Sequence, residues 1–184
     1  SMNNPFKGIY DGNDMTISGS MVFSSSYGGA CGLFSYNAGT IKNLNMDVDI
    51  TGRTTNSPGH MGTVVGYNQK EGQIINCSNQ GTVTGEYNSG SNKSYLGGIV
   101  GYNYYGTIAS CINNGDVSSR HYAGGIVGYN YYGTIASCSN NSDVFSHYYA
   151  GGIAGYNNYG TITTCTNDGT VSGGKYIGGI VGYS

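Results

Sequence analysis

The sequence predicts an all-β protein, a right-handed parallel β-solenoid (β-helix) of about six coils. The first observation is that Gly97–Cys111, GGIVGYNYYGTIASC, returns unchanged at Gly124–Cys138 and with edits at Gly151–Cys165. The second is that these copies form a 27-residue repeat. The third is that each copy holds short β-type runs between Gly, Asn and Tyr turn signals, without helical periodicity. A constant period indicates units that bury their apolar faces by stacking.

Each 27-residue unit is interpreted as three short strands, near Gly98–Asn103, Thr107–Ile112 and Asp116–Tyr122. At about 3.3 Å per strand residue and about 4.8 Å between coils, equivalent residues of successive coils lie above one another. One or both residues of the Ile99–Val100 pair face inwards; alternation leaves this open, because one of them must face outwards or lie at a bend. The other inward columns are predicted from apolar residues at fixed positions: Ile108, Cys111 and Val117, and the column Leu96, Ala123, Ala150 and Ile177.

The whole chain, residues 1–184, is interpreted as a single repeat domain. Residues 1–31 form an irregular opening coil that caps the core, with a strand, an Asp-Gly-Asn turn and a second strand. Residues 32–184 form the coils, and the last of these ends inside its repeat at Ser184. We therefore expect the chain to be a fragment of a longer protein.

Two corners are longer than the others, at residues 53–61 and 86–95. Insertions in repeat proteins are placed in loops, where they leave the stacking of the units undisturbed. Because both insertions occupy the same place in successive coils, we expect the two loops to emerge side by side on one edge.

The composition excludes several classes of function. Charged residues are only 9% of the chain, the formal net charge is −2, and the seven Lys and Arg residues are scattered. A chain without a basic stripe cannot neutralise a row of phosphates, so no nucleic-acid partner is expected. No stretch approaches the roughly 20 apolar residues of a membrane span, so no membrane insertion is expected. A polysaccharide-processing β-helix enzyme needs clustered charged residues in a groove and is the least favoured alternative.

The five cysteines are an odd number, which argues against a complete disulfide framework. Cys77, Cys111, Cys138 and Cys165 share one position of the repeat, and Leu44 holds that position in the first coil. The exchange of Leu for Cys indicates an apolar, inward position, so we predict a structural ladder of buried free thiols. One Cys per coil does not provide a tetrahedral set of ligands, and neither a metal nor another cofactor is expected.

Tyrosine is the unusual residue of this sequence, with 19 copies and no Trp. The tyrosines recur in columns, which either cover the corners and stack along the axis or present a flat, weakly charged aromatic face. Such a face suits glycans or protein partners, because Tyr offers apolar area and a hydrogen-bonding tip. Two columns are Tyr67, Tyr102, Tyr129, Tyr156 and Tyr183, and Tyr122, Tyr149 and Tyr176. The possible binding face consists of Tyr104, Tyr105, Tyr131, Tyr132 and Tyr159.

Asparagine recurs at two corner positions of the coils. Stacked Asn side chains can bond to one another along the axis and satisfy the backbone groups of turns. We therefore interpret as structural the columns Asn103, Asn130 and Asn157, and Asn113, Asn140 and Asn167.

The charged residues of the corners are also interpreted as structural, and no catalytic residue is assigned. Asp116 and Asp143 lie one coil apart, an arrangement that could serve Ca²⁺ or acid–base chemistry, yet solvated turn carboxylates are favoured. Arg120 is expected one coil from His147, with His121 beside it. A solvated corner is favoured over a site there as well.

The motif GGIVGYN…GTI..C.N.G.V, with the opening DGNDMTIS and GLFSYNAGTIKNL, resembles the GLUG repeat from about Phe6 to the end of the chain. GLUG repeats occur in bacterial cell-surface proteins, including IgA-specific metallo-endopeptidases and large adhesin-like proteins. The resemblance implies an extracellular β-solenoid module, at the cell surface or secreted, and brings no active site with it. A zinc peptidase would use a helical HExxH motif, which this sequence lacks.

The sequence and the resemblance together favour a non-enzymatic, extracellular structural and adhesive repeat module of a bacterial surface protein. The alternative is a module that binds a host glycan or surface protein through the tyrosine columns or through loops 53–61 and 86–95. Other domains of the parent chain are further expected partners.

Overall fold

The computed structural model describes residues 1–25, 29–54, 59–85 and 93–184. Within these ranges the chain is all-β, and its strands pair in parallel in three sheets. None of the described residues belongs to a helix long and apolar enough to cross a membrane. The predicted parallel β-solenoid is confirmed, with about 5 turns instead of about six. Its right-handed coiling stays a prediction.

Each sheet is built from equivalent strands of successive coils. Sheet 1 contains Phe34–Asn37, Val65–Asn68, Val100–Tyr104, Val127–Tyr131, Ala154–Asn158 and Val181–Tyr183. Sheet 2 contains Ile9–Asp11, Thr16–Ser25, Thr40–Thr54, Gln73–Asn79, Val83–Gly85, Thr107–Ala109, Ile112–Asn113, Val117–Ser119, Thr134–Ala136, Ser139–Asn140, Val144–Ser146, Thr161–Thr163, Thr166–Asn167 and Val171–Gly173. Sheet 3 contains Gly29–Cys31, Gly59–Met61, Ser94–Gly97, Tyr122–Gly124, Tyr149–Gly151 and Tyr176–Gly178.

Equivalent residues of successive coils pair one above the other, as the repeat predicts. In sheet 1, Val100 pairs with Val127, and in sheet 2, Ile108 pairs with Ile135. Paired strands lie about 4.8 Å apart. Each position of the repeat therefore becomes a continuous column of like residues along the axis.

The coils are divided more finely than predicted, because two of the three expected strands are each broken in two. The expected strand Thr107–Ile112 breaks at Ser110, whose φ of 54° is left-handed. The expected strand Asp116–Tyr122 breaks at a bend formed by Arg120 and His121. A left-handed residue redirects the chain within one position. The coil thereby gains corners that the apolar pattern does not reveal.

The core is a stack of aliphatic and Cys columns that water does not reach. Ile108, Cys111 and Val117 are at most 1% exposed. Ile99 and Val100 are both fully buried, because Ile99 lies at a bend just before the strand that Val100 begins. The bend answers the question that alternation left open.

The column at Leu96 is inward only in part. Leu96, Ala123 and Ala150 are fully buried, whereas Ile177 is 40% exposed. Ile177 pairs with Ala150 on one side, and no described coil covers its other side. Ile177 thus keeps the register of the inward column, and its exposure comes from the side that no described coil covers.

The opening segment forms the first rung of sheet 2. Ile9–Asp11 and Thr16–Ser25 both pair with Thr40–Thr54. Between them lies a turn in which Asn13 and Asp14 have φ values of 50° and 56°. The expected strand, turn and strand are present, and they continue the sheet of the regular coils.

The two long corners are shorter than predicted. Strand Thr40–Thr54 includes the first residues of the corner at 53–61, and strand Gly59–Met61 includes its last residues. Strand Ser94–Gly97 includes the last residues of the corner at 86–95 and pairs with Gly59–Met61. Residues 55–58 and 86–92 lie outside the described residues. The flanking strands are neighbours, and the emergence of the loops side by side stays a prediction.

Two ladders of asparagines join the coils through their side chains. Nδ2 of Asn68 donates to Oδ1 of Asn103, and Nδ2 of Asn103 donates to Oδ1 of Asn130, each at 2.8 Å. Nδ2 of Asn103 also donates to the carbonyl of Gly106 at 3.0 Å. Most of these amides are fully buried, so each bond is made in a medium of low dielectric. The ladders comprise Asn37, Asn68, Asn103, Asn130 and Asn157, and Asn79, Asn113, Asn140 and Asn167.

We expect Ile108→Asp to unfold the stack, because it places a carboxylate between Ile74 and Ile135 at a position that is 0% exposed. A buried unpaired charge should cost more than about 4 kcal/mol. Ile112→Asp is the matched control, since Ile112 is 41% exposed. Thermal unfolding followed by circular dichroism compares them. Equal midpoints for the wild type and the Ile108 variant would contradict the inward assignment.

We expect Asn103→Ala to lower the free energy of unfolding by about 2–4 kcal/mol, because Asn68 loses an acceptor and Asn130 loses a donor. Asn114→Ala is the control. Asn114 accepts a 2.8 Å bond from Asn141 at an exposed position, where a change within about 0.5 kcal/mol is expected. Urea titrations measure the free energy of unfolding of both variants. Equal losses of this free energy would show that burial of the ladder does not strengthen its hydrogen bonds.

Candidate binding face

The candidate tyrosines form one outward strip at the end of sheet 1. Tyr104 and Tyr131 are the last residues of their strands, and Tyr105, Tyr132 and Tyr159 lie at the corner that follows. Tyr131 is half-buried, and the other four are exposed, from 37% for Tyr104 to 78% for Tyr159. The structure thus brings all five together. We call this set the tyrosine face.

The corner tyrosines have an unusual backbone. The φ values of Tyr105, Tyr132 and Tyr159 are 56°, 51° and 54°, in the left-handed region. A bulky residue there costs roughly 1–2 kcal/mol relative to ordinary backbone. Such residues cluster at functional sites, where the surrounding structure holds the strain. At Tyr105, the corner is stabilised by the hydrogen bond from the Asn103 side-chain amide to the carbonyl of Gly106.

The rings of the tyrosine face stack along the axis. Tyr104 and Tyr131 are parallel to within 1° with centroids 5.5 Å apart, and Tyr105 and Tyr132 are parallel to within 3° at 5.0 Å. The two columns meet edge to face, as Tyr104 and Tyr105 do at 4.7 Å and 76°. Because ring faces cover one another along each column, the strip presents mainly ring edges and phenol hydroxyls. The surface is therefore less flat and less apolar than the sequence suggested.

One end of the tyrosine face opens into a cavity. In the coil before Tyr104, the equivalent position is Gln69, so no tyrosine continues the column there. The cavity has a volume of about 440 Å³ and is lined by Met2, Tyr67, Gln69, Lys70 and Tyr104. Aromatic rings, an amide and an ammonium group around one concave space are the usual elements of a small-ligand site.

Two further tyrosine columns are structural. Tyr102 stacks on Tyr129 at 4.9 Å, and Tyr95 stacks on Tyr122 at 4.8 Å. The columns interlock, since Tyr95 meets Tyr102 edge to face at 5.5 Å and 88°. Burial, with the nearby Tyr129 hydroxyl, raises the pKa of Tyr95 to about 12. The members are Tyr36, Tyr67, Tyr102, Tyr129, Tyr156 and Tyr183, and Tyr95, Tyr122, Tyr149 and Tyr176.

His60 is the residue in this region that sequence reasoning missed. It stacks on Tyr95 at 5.3 Å, and its ring meets those of Tyr67 and Tyr102 edge-on at 5.2 Å each. Burial lowers the pKa of His60 to about 4, and its Nδ1 has no hydrogen-bond partner among the described residues. His60 pairs with Tyr95 in sheet 3. The insertion before Tyr95 hides this alignment in the sequence.

The cysteines form an inward column in which the thiol also serves the backbone. Cys77, Cys111 and Cys138 are at most 1% exposed, Cys165 is half-buried, and all are free thiols. The Sγ of Cys138 accepts a hydrogen bond from the amide of Cys111 at 3.4 Å and donates to the carbonyl of Ala136 at 3.3 Å. Hydrogen bonds with the neighbouring thiols and burial raise the pKa of Cys111 well above its usual range. Burial of Cys77, Cys111 and Cys138 keeps these thiols away from reagents in solution, as is typical of core thiols.

The stacked carboxylates bind backbone amides. The Oδ1 of Asp116 accepts from the amide of Asp143 at 3.1 Å, and the Oδ1 of Asp143 accepts from that of Thr170 at 2.9 Å. Asp49 accepts likewise from Thr82, whose amide and hydroxyl lower the pKa of Asp49. Across the described parts of the chain, no three His, Cys, Asp or Glu side chains are grouped so that they could hold a metal ion.

The fold and its ladders define the class of protein, a solenoid of repeats stabilised by contacts between neighbouring coils. The particular repeat is the GLUG motif, which matches residues 92–118, 119–144 and 146–172. The resemblance seen in the sequence is thereby confirmed for residues 92–172. No curated protein and no solved structure gave a match to the chain.

In the folded protein we expect Cys77, Cys111 and Cys138 to be alkylated at least about 100-fold more slowly than in the unfolded chain, because the reactive species is an accessible thiolate. Timed iodoacetamide labelling followed by peptide mass spectrometry resolves each site. The same peptides from urea-unfolded protein are the reference. Labelling of any of the three at the unfolded rate would contradict its inward position.

Proposed function

We propose that this chain is a non-enzymatic structural and adhesive repeat module of a protein displayed on, or secreted from, a bacterial cell. The GLUG motifs at residues 92–172 support the proposal. The observation that carries it is that the polar side chains of the asparagine ladders and the stacked aspartates form hydrogen bonds to neighbouring coils. A chain organised in this way suits a rigid spacer that holds other domains at a distance.

The chemistry of the side chains supports a role without catalysis. Catalytic sites in β-helix enzymes require converging charged groups, and charged residues are 9% of this chain. The carboxylates of Asp116 and Asp143, which stacking brings near each other, are engaged by backbone amides. The thiols of Cys77, Cys111 and Cys138 are buried, and that of Cys165 is half-buried.

A second candidate function is recognition of a host glycan or surface protein by the tyrosine face. It is favoured by the left-handed backbone of Tyr105, Tyr132 and Tyr159, which gives these rings an exposed position at a cost in stability. The cavity beside Tyr104 offers a concave end to the strip. The loops 53–61 and 86–95 are the alternative surface for such a partner.

The experiment is a screen of the chain against a glycan array and a panel of host glycoproteins. The test variant is Tyr104→Ala/Tyr131→Ala, which should remain folded because Tyr104 is exposed and the half-buried Tyr131 lies outside the buried core. Ile112→Ala is the control, an exposed apolar residue of sheet 2. We expect a bound partner to be retained by the control and weakened at least tenfold by the double variant.

The outcomes separate the candidates. Binding that the double variant loses assigns recognition to the tyrosine face. Binding that both variants keep moves recognition to another surface, of which the two long loops come first. Silence of the wild type in both screens removes the adhesive part of the proposal and leaves the spacer.

A further inference from the structure

The column of Tyr104 ends at the corner between sheet 1 and sheet 2. Tyr104 stacks on Tyr131 with ring centroids 5.5 Å apart. On its other side the chain makes a turn at residues 69–72, closed by a backbone hydrogen bond of 2.9 Å, and Gln69 takes the position of the tyrosine. One coil further, Ala38 holds that position. Tyr104 is therefore the end ring of its column.

The end position leaves one face of the Tyr104 ring available to a ligand. Tyr131 is covered on both sides, by Tyr104 and by Asn158, with which it pairs. On the open side of Tyr104 lies the ring of Tyr67, which is tilted by 37° with its centroid 6.3 Å away and does not stack on it. An aromatic face therefore borders the cavity here, where the stacked part of the strip presents ring edges. Such a face offers apolar area to the carbon atoms of a sugar ring.

The cavity beside this ring has the size and the polar groups of a small-ligand site. Its volume of about 440 Å³ lies within the range of such sites. The side chain of Gln69 is fixed at the wall, because its Nε2 donates to the carbonyl of Met2 at 2.8 Å. The phenol hydroxyls of Tyr67 and Tyr104 can both donate and accept hydrogen bonds. These groups match the hydroxyls of a sugar.

Lys70 gives the cavity its charge. It is exposed, and of the five residues that line the cavity it is the one that carries a charge. Glu71 follows it in the turn with a left-handed φ of 73° and does not line the cavity. Among the described residues no carboxylate forms an ion pair with Lys70, and the ion pair that is present joins Lys42 to Asp11. An ammonium group beside a sugar-sized space favours a ligand that carries a carboxylate.

We propose that this cavity binds an acidic sugar, with the carboxylate at Lys70 and the sugar ring against the open face of Tyr104. The inference rests on the proposed recognition by the tyrosine face, and it gives that recognition a site and a class of ligand. The acidic sugar can be the terminal unit of a branched glycan or a unit within a linear polysaccharide. Both present the same carboxylate on a sugar ring.

The test is isothermal titration calorimetry of the intact chain with three soluble glycans. Sialyllactose carries one carboxylate on its terminal sugar, a hyaluronan tetrasaccharide carries carboxylates within a linear chain, and lactose is neutral. The first two distinguish the two sources of the acidic sugar, and lactose measures what the sugar contributes without a carboxylate.

Two variants test the two contacts, and each has a matched control. Lys70→Gln removes the charge from the cavity, and Lys175→Gln removes one charge from an exposed position at another corner. Tyr104→Ala removes the ring at the cavity, and Tyr159→Ala removes a ring that is 78% exposed at the other end of the same face. Tyr104→Phe keeps the ring and removes only its hydroxyl.

We expect the wild type to bind at least one of the acidic glycans at least tenfold more tightly than lactose, with an affinity that falls as salt rises. Lys70→Gln should reduce this affinity to that for lactose, and Tyr104→Ala should reduce it at least tenfold. Tyr104→Phe and the two controls should stay within about threefold of the wild type. If Tyr104→Ala melts below the wild type, Lys70→Gln decides the matter, because it changes an exposed residue of a turn.

Four results would overturn the proposal: no binding of either acidic glycan, equal binding of lactose, equal effects of Lys70→Gln and Lys175→Gln, or equal effects of Tyr104→Ala and Tyr159→Ala in folded proteins. Equal effects of the two lysine variants would mean general attraction to positive charge. None of these results decides the broader function. A glycoprotein or a neutral glycan whose binding Tyr104→Ala/Tyr131→Ala abolishes would still assign recognition to the tyrosine face, whereas silence in that screen would remove the adhesive role itself.

Discussion

The fixed register of the hydrogen bonds between coils is the constraint on which the rest of this structure depends. Each position of the repeat must be occupied by a residue that tolerates a near copy of itself about 4.8 Å away along the axis. Asparagine meets the condition because its amide is both donor and acceptor, so Asn103 bonds to Asn130 without a second residue type. Cysteine meets it with a sulfur that accepts an amide of the neighbouring coil, and tyrosine meets it by ring stacking. Charged side chains meet the condition less readily, because like charges repel, and the stacked Asp116 and Asp143 meet it by accepting backbone amides of the next coil. This gives a physical reason for a chain with only 9% charged residues.

Much of the fold can be predicted from the sequence, because the spacing of the repeats gives the register in which successive coils pair. The 27-residue offset alone aligns Ile108 with Ile135 and Tyr102 with Tyr129, and both pairs are neighbours in the sheets. The offset carries no information about backbone direction inside a coil, so the left-handed turn at Ser110 and the strands it separates were missed. The Ile99–Val100 pair shows the same limit, since two adjacent inward residues require a bend that the apolar pattern cannot display.

Predictions fail where the coils stop being copies. His60 belongs to the column of Tyr95 and Tyr122, but an insertion of variable length separates it from them, and a fixed offset does not find it. Ile177 has the right position in the repeat and yet is 40% exposed, because burial needs a coil on both sides and not only the right residue type. In a solenoid the environment of a residue is set by its neighbours above and below, so repeat position predicts direction better than it predicts burial.

The tyrosine face shows what self-tolerance allows outside the core. Tyr105 stacks on Tyr132 as the tyrosines of the structural columns do, yet these two residues and Tyr159 lie at left-handed corners. A left-handed backbone costs stability that glycine would avoid there. Because a corner residue can change while the asparagine and cysteine ladders stay intact, this cost is the physical argument on which the proposal of recognition by the tyrosine face rests.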